Sequence, residues 1–548
     1  QANTTASDNT AVGHNALDAN TTGADNTAVG KSAGTEITTG ARNTLAGSDS
    51  GALLTTGTQN TIIGDSAGGG TTASNNVAVG FQTLDAATTG FHNTAVGTIA
   101  MGANTTGANN VAVGFQALDA STTGSENVAI GLNALGAADT SNRNVAIGRH
   151  ALASYNPDGN EDSYNVAIGY DALTTGTTGI ENTAVGSKSM LANTTGRNNA
   201  AFGAYSLDAN TSGENNTAVG KSALGANTTG SGNTAVGINA LDATIDGVNN
   251  VAIGINALSA DAVGENVAVG NSALLACTAS NNVAVGSEAG KAVTSGSQNV
   301  FVGANAGEAV IGGANHVAIG YNSLMKCTSP NGNTAVGESA LFDCTTGAIN
   351  TAIGETALEN VTTGANNTAV GASCNEVTTT GNSNTMIGTL ARASGAGLDQ
   401  EMVMGYNSVG KGATTAFINP GGGAVFAGNN ATAFSQTSDR RIKKDIIPNN
   451  KGLESIKQIE PKYFYYKSDE EMQAELPDAQ EGLPLDKQFT SAIAQELKEI
   501  FPEAVEERTK NNILSVNTDP IFWSMVNAIK ELSEKNDALE ARLTTLEG

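Results

Sequence analysis

Ser438-Asp439-Arg440-Arg441-Ile442-Lys443-Lys444-Asp445-Ile446 places a hydroxyl among lysines, arginines and carboxylates. A serine hydroxyl is a weak nucleophile until a base takes its proton. The last histidine of the 548-residue chain is His316 and the last cysteine is Cys374. Neither a Ser/His nor a Cys/His device can therefore be built from this part of the sequence. A Ser/Lys pair can, provided the lysine is desolvated enough to be neutral and accept the hydroxyl proton. Lys443 and Lys444 both qualify by position, and Asp439 and Arg441 could orient the site or an ion-pair network. By residue type alone the same segment reads more simply as a charged strand.

The elements around it come next. The last 111 residues hold 37 charged side chains, against 41 in the first 437, and they contain the only tryptophan, Trp523. Two different kinds of protein are joined near Ser438. Glu460-Pro461 opens a strand-like aromatic run, Lys462-Tyr463-Phe464-Tyr465-Tyr466. Ala492-Ile493-Ala494-Gln495-Glu496-Leu497 begins a helix that ends before Phe501-Pro502-Glu503-Ala504-Val505. Met525, Ile529, Leu532, Asn536, Leu539, Leu543 and Leu546 then alternate spacings of four and three, which is a heptad seam over about 522–547. A helix so polar elsewhere needs partner helices, and a parallel homotrimer is expected.

This constellation resembles the C-terminal intramolecular chaperone of endosialidases and other phage tail spikes and fibres. The resemblance covers 438–548 and rests on the Ser-Asp-Arg-Arg-Ile-Lys opening, the Ala-Gln-Glu helix, the Phe-Pro-Glu-Ala-Val run and the closing Ala-Ile-Lys-Glu-Leu coil. It implies a domain that trimerises, helps the preceding β-structured fibre to fold, and then cuts itself off just before the serine. On that resemblance the scissile bond is Thr437–Ser438, Ser438 is the nucleophile and Lys443 its partner, with Asp439 and Arg441 in support. Burial on assembly could supply the neutral lysine, so that cutting would wait for a correct trimer.

The first part of the chain is one repeat. The phrase Asn-Thr/Val-Ala-Val/Ile-Gly closes on 24 glycines from Gly13 to Gly405, and 19 of the 23 intervals are 17 residues. Disordered low-complexity sequence does not keep such register, and 17 residues is too short for a two-helix repeat. Short β-branched runs bounded by Gly and Asn read as strands and turns. The expected fold class is therefore mainly β: a long parallel β-solenoid of 17-residue coils, each stacked about 4.8 Å on the next, on the order of 110 Å in all. A small α+β chaperone domain ending in a trimeric coiled coil follows it. The layout is 1–408 for the solenoid with its 24 coils, 409–437 for a joint marked by Asn419-Pro420-Gly421-Gly422-Gly423, and 438–548 for the chaperone domain.

Counting from the closing glycine, position −1 is apolar in every copy and +3, +4 are commonly Ala-Leu, so these ladders are expected to form a thin core. Position −4 is Asn in 22 of 24 copies, the exceptions being His316 and Glu401. Stacked asparagines can bond along the ladder and cap the turn before the strand. Thr-Thr-Gly at +8 to +10, as in Thr21-Thr22-Gly23, is expected to be a turn whose glycine supplies a positive φ. Position −2, mostly Ala, should face outward, where a continuous small apolar surface invites several chains to pack, most simply three. These repeats resemble the heads of trimeric autotransporter adhesins, which wind as a left-handed β-roll. That resemblance, over about 1–405, implies a trimeric, surface-exposed rod without enzymatic activity.

The departures from the repeat carry little chemistry. His14, His92, His150 and His316 are scattered without metal-ligand spacing, and no metal or cofactor is called for. Asn156–Asp162 is an acidic insertion that reads as a solvated bulge, with a calcium or receptor site as the alternative. Asn-Thr-Thr triplets such as Asn104-Thr105-Thr106 fit the glycosylation sequon, but they are turn residues first. The Thr ladder is similar to that of ice-binding solenoids, which need a flat exposed Thr face. Cys327 and Cys344 fall on successive coils, to pair or to stack as free thiols, Cys277 shares their position, and Cys374 replaces an Ala of the core ladder.

Net charge is −26, which argues against a nucleic-acid partner. No run of about 18 apolar residues exists, so no membrane insertion is expected. The chain starts at Gln1, in keeping with a mature or trimmed product. The favoured reading is a virion tail fibre or spike that attaches to an unspecified host or surface receptor, a glycan among the candidates. The alternatives are a cellular or secreted trimeric adhesin with the same chaperone, or a retained, uncleaved trimerisation cap. An enzyme acting on glycans would need paired carboxylates converging in a groove, and the repeats show no such pair.

Overall fold

The computed structural model describes residues 5–70, 72–157, 162–419, 425–427, 445–465, 467–468, 471, 488–508 and 513–547. The chain divides into two compact units, Gln1–Thr437 and Ser438–Gly548.

In the first unit, three-residue strands recur once per coil, from β1 (Thr10–Val12) and β2 (Thr27–Val29) to β24 (Met402–Met404) and β25 (Ala416–Ile418). Each pairs in parallel and in register with the next, Thr10 on Thr27 and Val12 on Val29. The parallel row runs through β25, which lies where the sequence period has already lapsed, and β26 (Val425–Ala427) adds an antiparallel partner. This is the parallel β-solenoid of 17-residue coils that the spacing predicts.

The asparagine ladder is the solenoid's polar spine. Asn43 donates from both its backbone N and its Nδ2 to Oδ1 of Asn26, 3.0 Å each, and Nδ2 also reaches the Gly57 carbonyl at 3.0 Å. These side chains are buried, so each bond replaces one that water would otherwise make, and a missing partner would leave an unpaired group at a cost of about 1–3 kcal/mol. Of the two exceptions His316 keeps the pattern, while Glu401 satisfies its carboxylate differently. His316 Nε2 bonds the Pro330 carbonyl at 2.7 Å and the Asn333 N–H points at Nδ1 at 3.2 Å. Glu401 accepts from the backbone N–H groups of Ser394 and Gly412. Threonines at +8 form a second ladder, each hydroxyl donating to the next coil's carbonyl, as Thr21 does to Thr38 at 2.9 Å.

Two expectations are corrected. Position −2, not −1, faces the core: Ala28 is fully buried while Val29 is 43% exposed, and the same holds along the row. The interior is too narrow for a branched side chain at −2 once Leu occupies +4, so the alanine goes in and the β-branched residue goes out. At three coils with a large −2 residue, Leu45, Ile62 and Phe301, the facing +4 positions shrink to glycine. Phe301 lies between Gly290 and Gly307, and a Cβ on Gly307 would come within 2.3 Å of the Phe301 ring. Leu45 lies between Gly34 and Gly51 in the same way, each added Cβ falling within 3.0 Å of its methyl groups.

The second correction concerns Thr-Thr-Gly. Gly23 is not in the left-handed region; it is glycine because a Cβ would sit 2.1 Å from the Gly40 carbonyl oxygen. Positive φ falls instead on the closing glycine (Gly13, φ 138°) and on side-chain-bearing residues at −5, +2 and +4, such as Asp8, Asn15 and Leu17. A leucine there costs about 1–2 kcal/mol locally, and burial of Leu17 in the core offsets it.

The second unit, within its described residues, contains α1 (Leu453–Ile456), β27 (Lys462–Phe464), β28 (Phe489–Ser491), α2 (Ala494–Ile500), a 3₁₀ turn (Pro502–Ala504), β29 (Val505–Arg508), β30 (Ile513–Val516) and α3 (Asp519–Glu547). Strands β27 and β28 pair antiparallel, as do β29 and β30. Its core is small: Leu497, Phe501, Ala504 and Val505 are buried, with Ile456, Leu514 and Ile521 packed on them.

Candidate functional site

Thr437, Ser438, Asp439, Arg441, Lys443 and Lys444 lie outside the described residues. What the structure describes is the frame that follows them. Asp445 begins it, and the chain runs without regular structure to Lys451. Helix α2 buries Leu497 on the core side, and the Phe-Pro-Glu-Ala-Val run turns Phe501 and Ala504 into that core. Both sequence signatures are therefore structural: they build the platform rather than supply reacting groups.

Two lysines beside that platform are already engaged. Lys462 bonds Glu496 at 3.2 Å and Glu460 at 3.4 Å. Those two carboxylates push its pKa up, which keeps it charged and unfit as a base. An open groove of about 470 Å³ lies alongside, lined in part by Gln458, Glu460, Lys462 and Glu496. Lys451 bonds Glu503 at 3.1 Å and lies 4.6 Å over the Phe501 ring.

Residues 438–506 match a protein-family model described as chaperone of endosialidase. The chain carries a chaperone-of-endosialidase domain. The match begins at Ser438, the first residue of the second compact unit. A long parallel β-solenoid followed by this chaperone domain is the layout of a tail-fibre-like protein. No solved structure matches the chain. The helix α3 lies beyond the matched segment, and its seam is bare in the single chain: Ile529, Leu532 and Leu539 are all more than half exposed. Among the described residues no helix is long and apolar enough to cross a membrane.

The solenoid's own candidates resolve as structure. Asp162, at the end of the acidic insertion, is ion-paired with Arg143, which also bonds Glu126 at 2.9 Å and the Tyr164 hydroxyl at 2.7 Å. Residues 158–161 of the insertion lie outside the described residues. Asn104, the sequon asparagine, is buried. Cys277, Cys327, Cys344 and Cys374 are free and buried. The hydrogen bond with Cys344, together with burial, pushes the Cys327 thiol up, and burial raises Cys374 to about 11. Cys277, whose thiol burial also raises, Cys327 and Cys374 are therefore poor nucleophiles at neutral pH, while the bond with Cys327 lowers Cys344. His150 lies 3.3 Å from Asp171, but no group of three metal-ligating side chains occurs among the described residues.

Sequence reasoning missed β28, the β29–β30 hairpin and the polar contacts that tie 449–453 to α3. The hairpin strands carry too few apolar residues in Glu506-Glu507-Arg508 to stand out from a loop. The contacts join residues more than 70 positions apart, which no local pattern can pair.

Proposed function

We propose that this protein is a trimeric extracellular attachment fibre that matures by cutting itself once, at Thr437–Ser438. What carries the reading is the join itself: a solenoid of repeated coils precedes a chaperone segment whose match opens on a serine followed five residues later by a lysine. In the proposed reaction a neutral Lys443 takes the proton of Ser438 as Oγ attacks the Thr437 carbonyl carbon. The C–N bond breaks, and the protonated lysine returns the proton to the departing amine of Ser438. Water then hydrolyses the ester, leaving a Thr437 carboxylate and a restored serine hydroxyl. Asp439 and Arg441 would orient this pair, with Lys444 as the alternative base.

Trimerisation supplies the burial such a lysine needs. The supports for it are two unpartnered apolar surfaces: the a/d seam of α3, and the row of Val and Ile at −1 that crosses the whole outer sheet face. Three chains of near-identical coils can pair one coil out of step with little loss of contact. A C-terminal nucleus would fix register before the solenoids associate, and removing it afterwards would close the easy way back.

Expressing the full chain beside Ser438→Ala and weighing the denatured products tests the reaction. A 111-residue fragment beginning at Ser438, present in the wild type alone, is the expected result. Intact chains in both would leave the domain as a retained trimerisation cap.

A further inference from the structure

Helix α3 presents two faces with different tasks. Its seam, Met525, Ile529 and Leu532, is exposed. A second face grips the helix's own chain at 449–453. Asn527 Nδ2 donates to the carbonyl oxygens of Asn449 (2.8 Å) and Lys451 (3.2 Å). Asn449 Nδ2 donates to Oγ of the buried Ser524 at 3.1 Å. The Glu531 carboxylate accepts the Leu453 N–H at 3.0 Å. Gly452 lies so close beneath that carboxylate that an added Cβ would fall 1.8 Å from Oε1. A side chain at 452 would displace the end of Glu531 from the Leu453 N–H.

The clasped segment starts at Asn449, six positions after Lys443. Ser524, Asn527 and Glu531 stand at i, i+3 and i+7, so they share a face only when this stretch is helical. The same turns carry Met525, Ile529 and Leu532 on the seam side. Forming the helix therefore creates the clasp and the seam in one event, on two faces that meet where Leu453 borders the groove of Met525, Ile529 and Leu532.

We infer that Ser524, Asn527 and Glu531 are positioning residues for the self-cleavage: by holding 449–453 on formed helix they fix where the Ser438 segment departs from the domain. This rests on the cleavage reading above. It makes cutting conditional on the helix that assembly stabilises.

The test uses the full chain as wild type, Asn527→Ala, Glu531→Ala, Glu531→Gln and Ser438→Ala. Appearance of the 111-residue fragment is timed by mass spectrometry, and the trimer fraction is measured by native mass spectrometry on the same samples. Both alanine variants should cut at least about tenfold more slowly with the trimer fraction unchanged. Glu531→Gln, whose amide oxygen still accepts the Leu453 N–H, should cut near the wild-type rate. Alanine variants that cut at the wild-type rate, or that slow only in proportion to lost trimer, overturn the inference and leave the cleavage reading standing. A wild type that stays intact overturns the cleavage reading, and the inference with it.

Discussion

The two units solve the problem of stability in opposite ways. In most coils of the solenoid the Asn and Thr ladders pair buried polar groups with the neighbouring coil, and Ala at −2 with Leu at +4 fill the interior. No single coil is decisive, because each touches only its neighbours. Among the described residues, the chaperone domain has one small apolar cluster around Leu497 and Phe501 and then a 29-residue helix with a bare seam. That described core is small for a helix of this length, and the apolar seam of the helix is unpartnered in the single chain. A repeated structure spreads its stability evenly and therefore cannot choose a register; a concentrated one can.

Charges placed in each apolar surface should separate these behaviours most sharply. Leu532→Asp with Leu539→Asp removes about 3 kcal/mol or more of apolar burial per chain at the seam, and should weaken trimer assembly beyond a hundredfold. Val219→Asp with Ile253→Asp in the solenoid should weaken it by less than about tenfold, since the remaining coils retain their contacts. Analytical ultracentrifugation of both in the Ser438→Ala chain reads the ratio. Equal losses would mean that the solenoid, not the chaperone domain, drives assembly.

Within the solenoid, the exchange of volume between −2 and +4 can be broken and restored. Gly307→Leu should cost about 3 kcal/mol by collision with Phe301. Phe301→Ala should cost about 3–5 kcal/mol through the cavity left behind. Combined with Gly290→Leu, which fills the other side of the ring's site, they recreate the common Ala/Leu coils and should fall within about 1 kcal/mol of wild type, a coupling that urea unfolding of the single and combined variants would measure. Additive losses would show that the glycine serves some purpose other than room for the ring.

The smallest effect expected is a pH dependence at one coil. Burial lowers the pKa of His316 in the folded chain. The Asn333 N–H directed at Nδ1 and the Pro330 carbonyl at Nε2 fit only the neutral Nε2–H tautomer. The unfolded chain, with an ordinary histidine near 6.5, takes the proton more readily. Stability from this site is therefore complete above about pH 6.5 and falls as pH drops below it, by at most about 1.4 kcal/mol per unit until the folded value is reached. His316→Asn restores the common ladder residue and should remove this acid-sensitive component from amide exchange around 300–333. An unchanged pH profile would place the acid sensitivity elsewhere.

Much of this was legible beforehand. A 17-residue period, β-branched triplets and an asparagine at −4 can be satisfied together only by stacked parallel strands, and they are so arranged. Which way each strand faced was not legible. In a strand of three residues the alternation offers two faces of similar polarity, and Val against Ala gives no sign of which goes inside. The cross-section of the coil settles it. Glycine at +10 was visible too, but for the wrong reason: what excludes a side chain at Gly23 is the carbonyl of the next coil, not the sign of φ.

The sequence by itself determined the repeat, the composition break near Ser438, the heptad seam and the lack of any histidine after His316 or cysteine after Cys374. All of these are properties of residue type and spacing along one chain. Only the tertiary structure decided that the Val and Ile row is the outward surface, that Phe301 is accommodated by Gly290 and Gly307, and that α3 holds 449–453 through Ser524, Asn527 and Glu531. Those are matters of volume and of contact between residues far apart in the chain, and neither is written in local order.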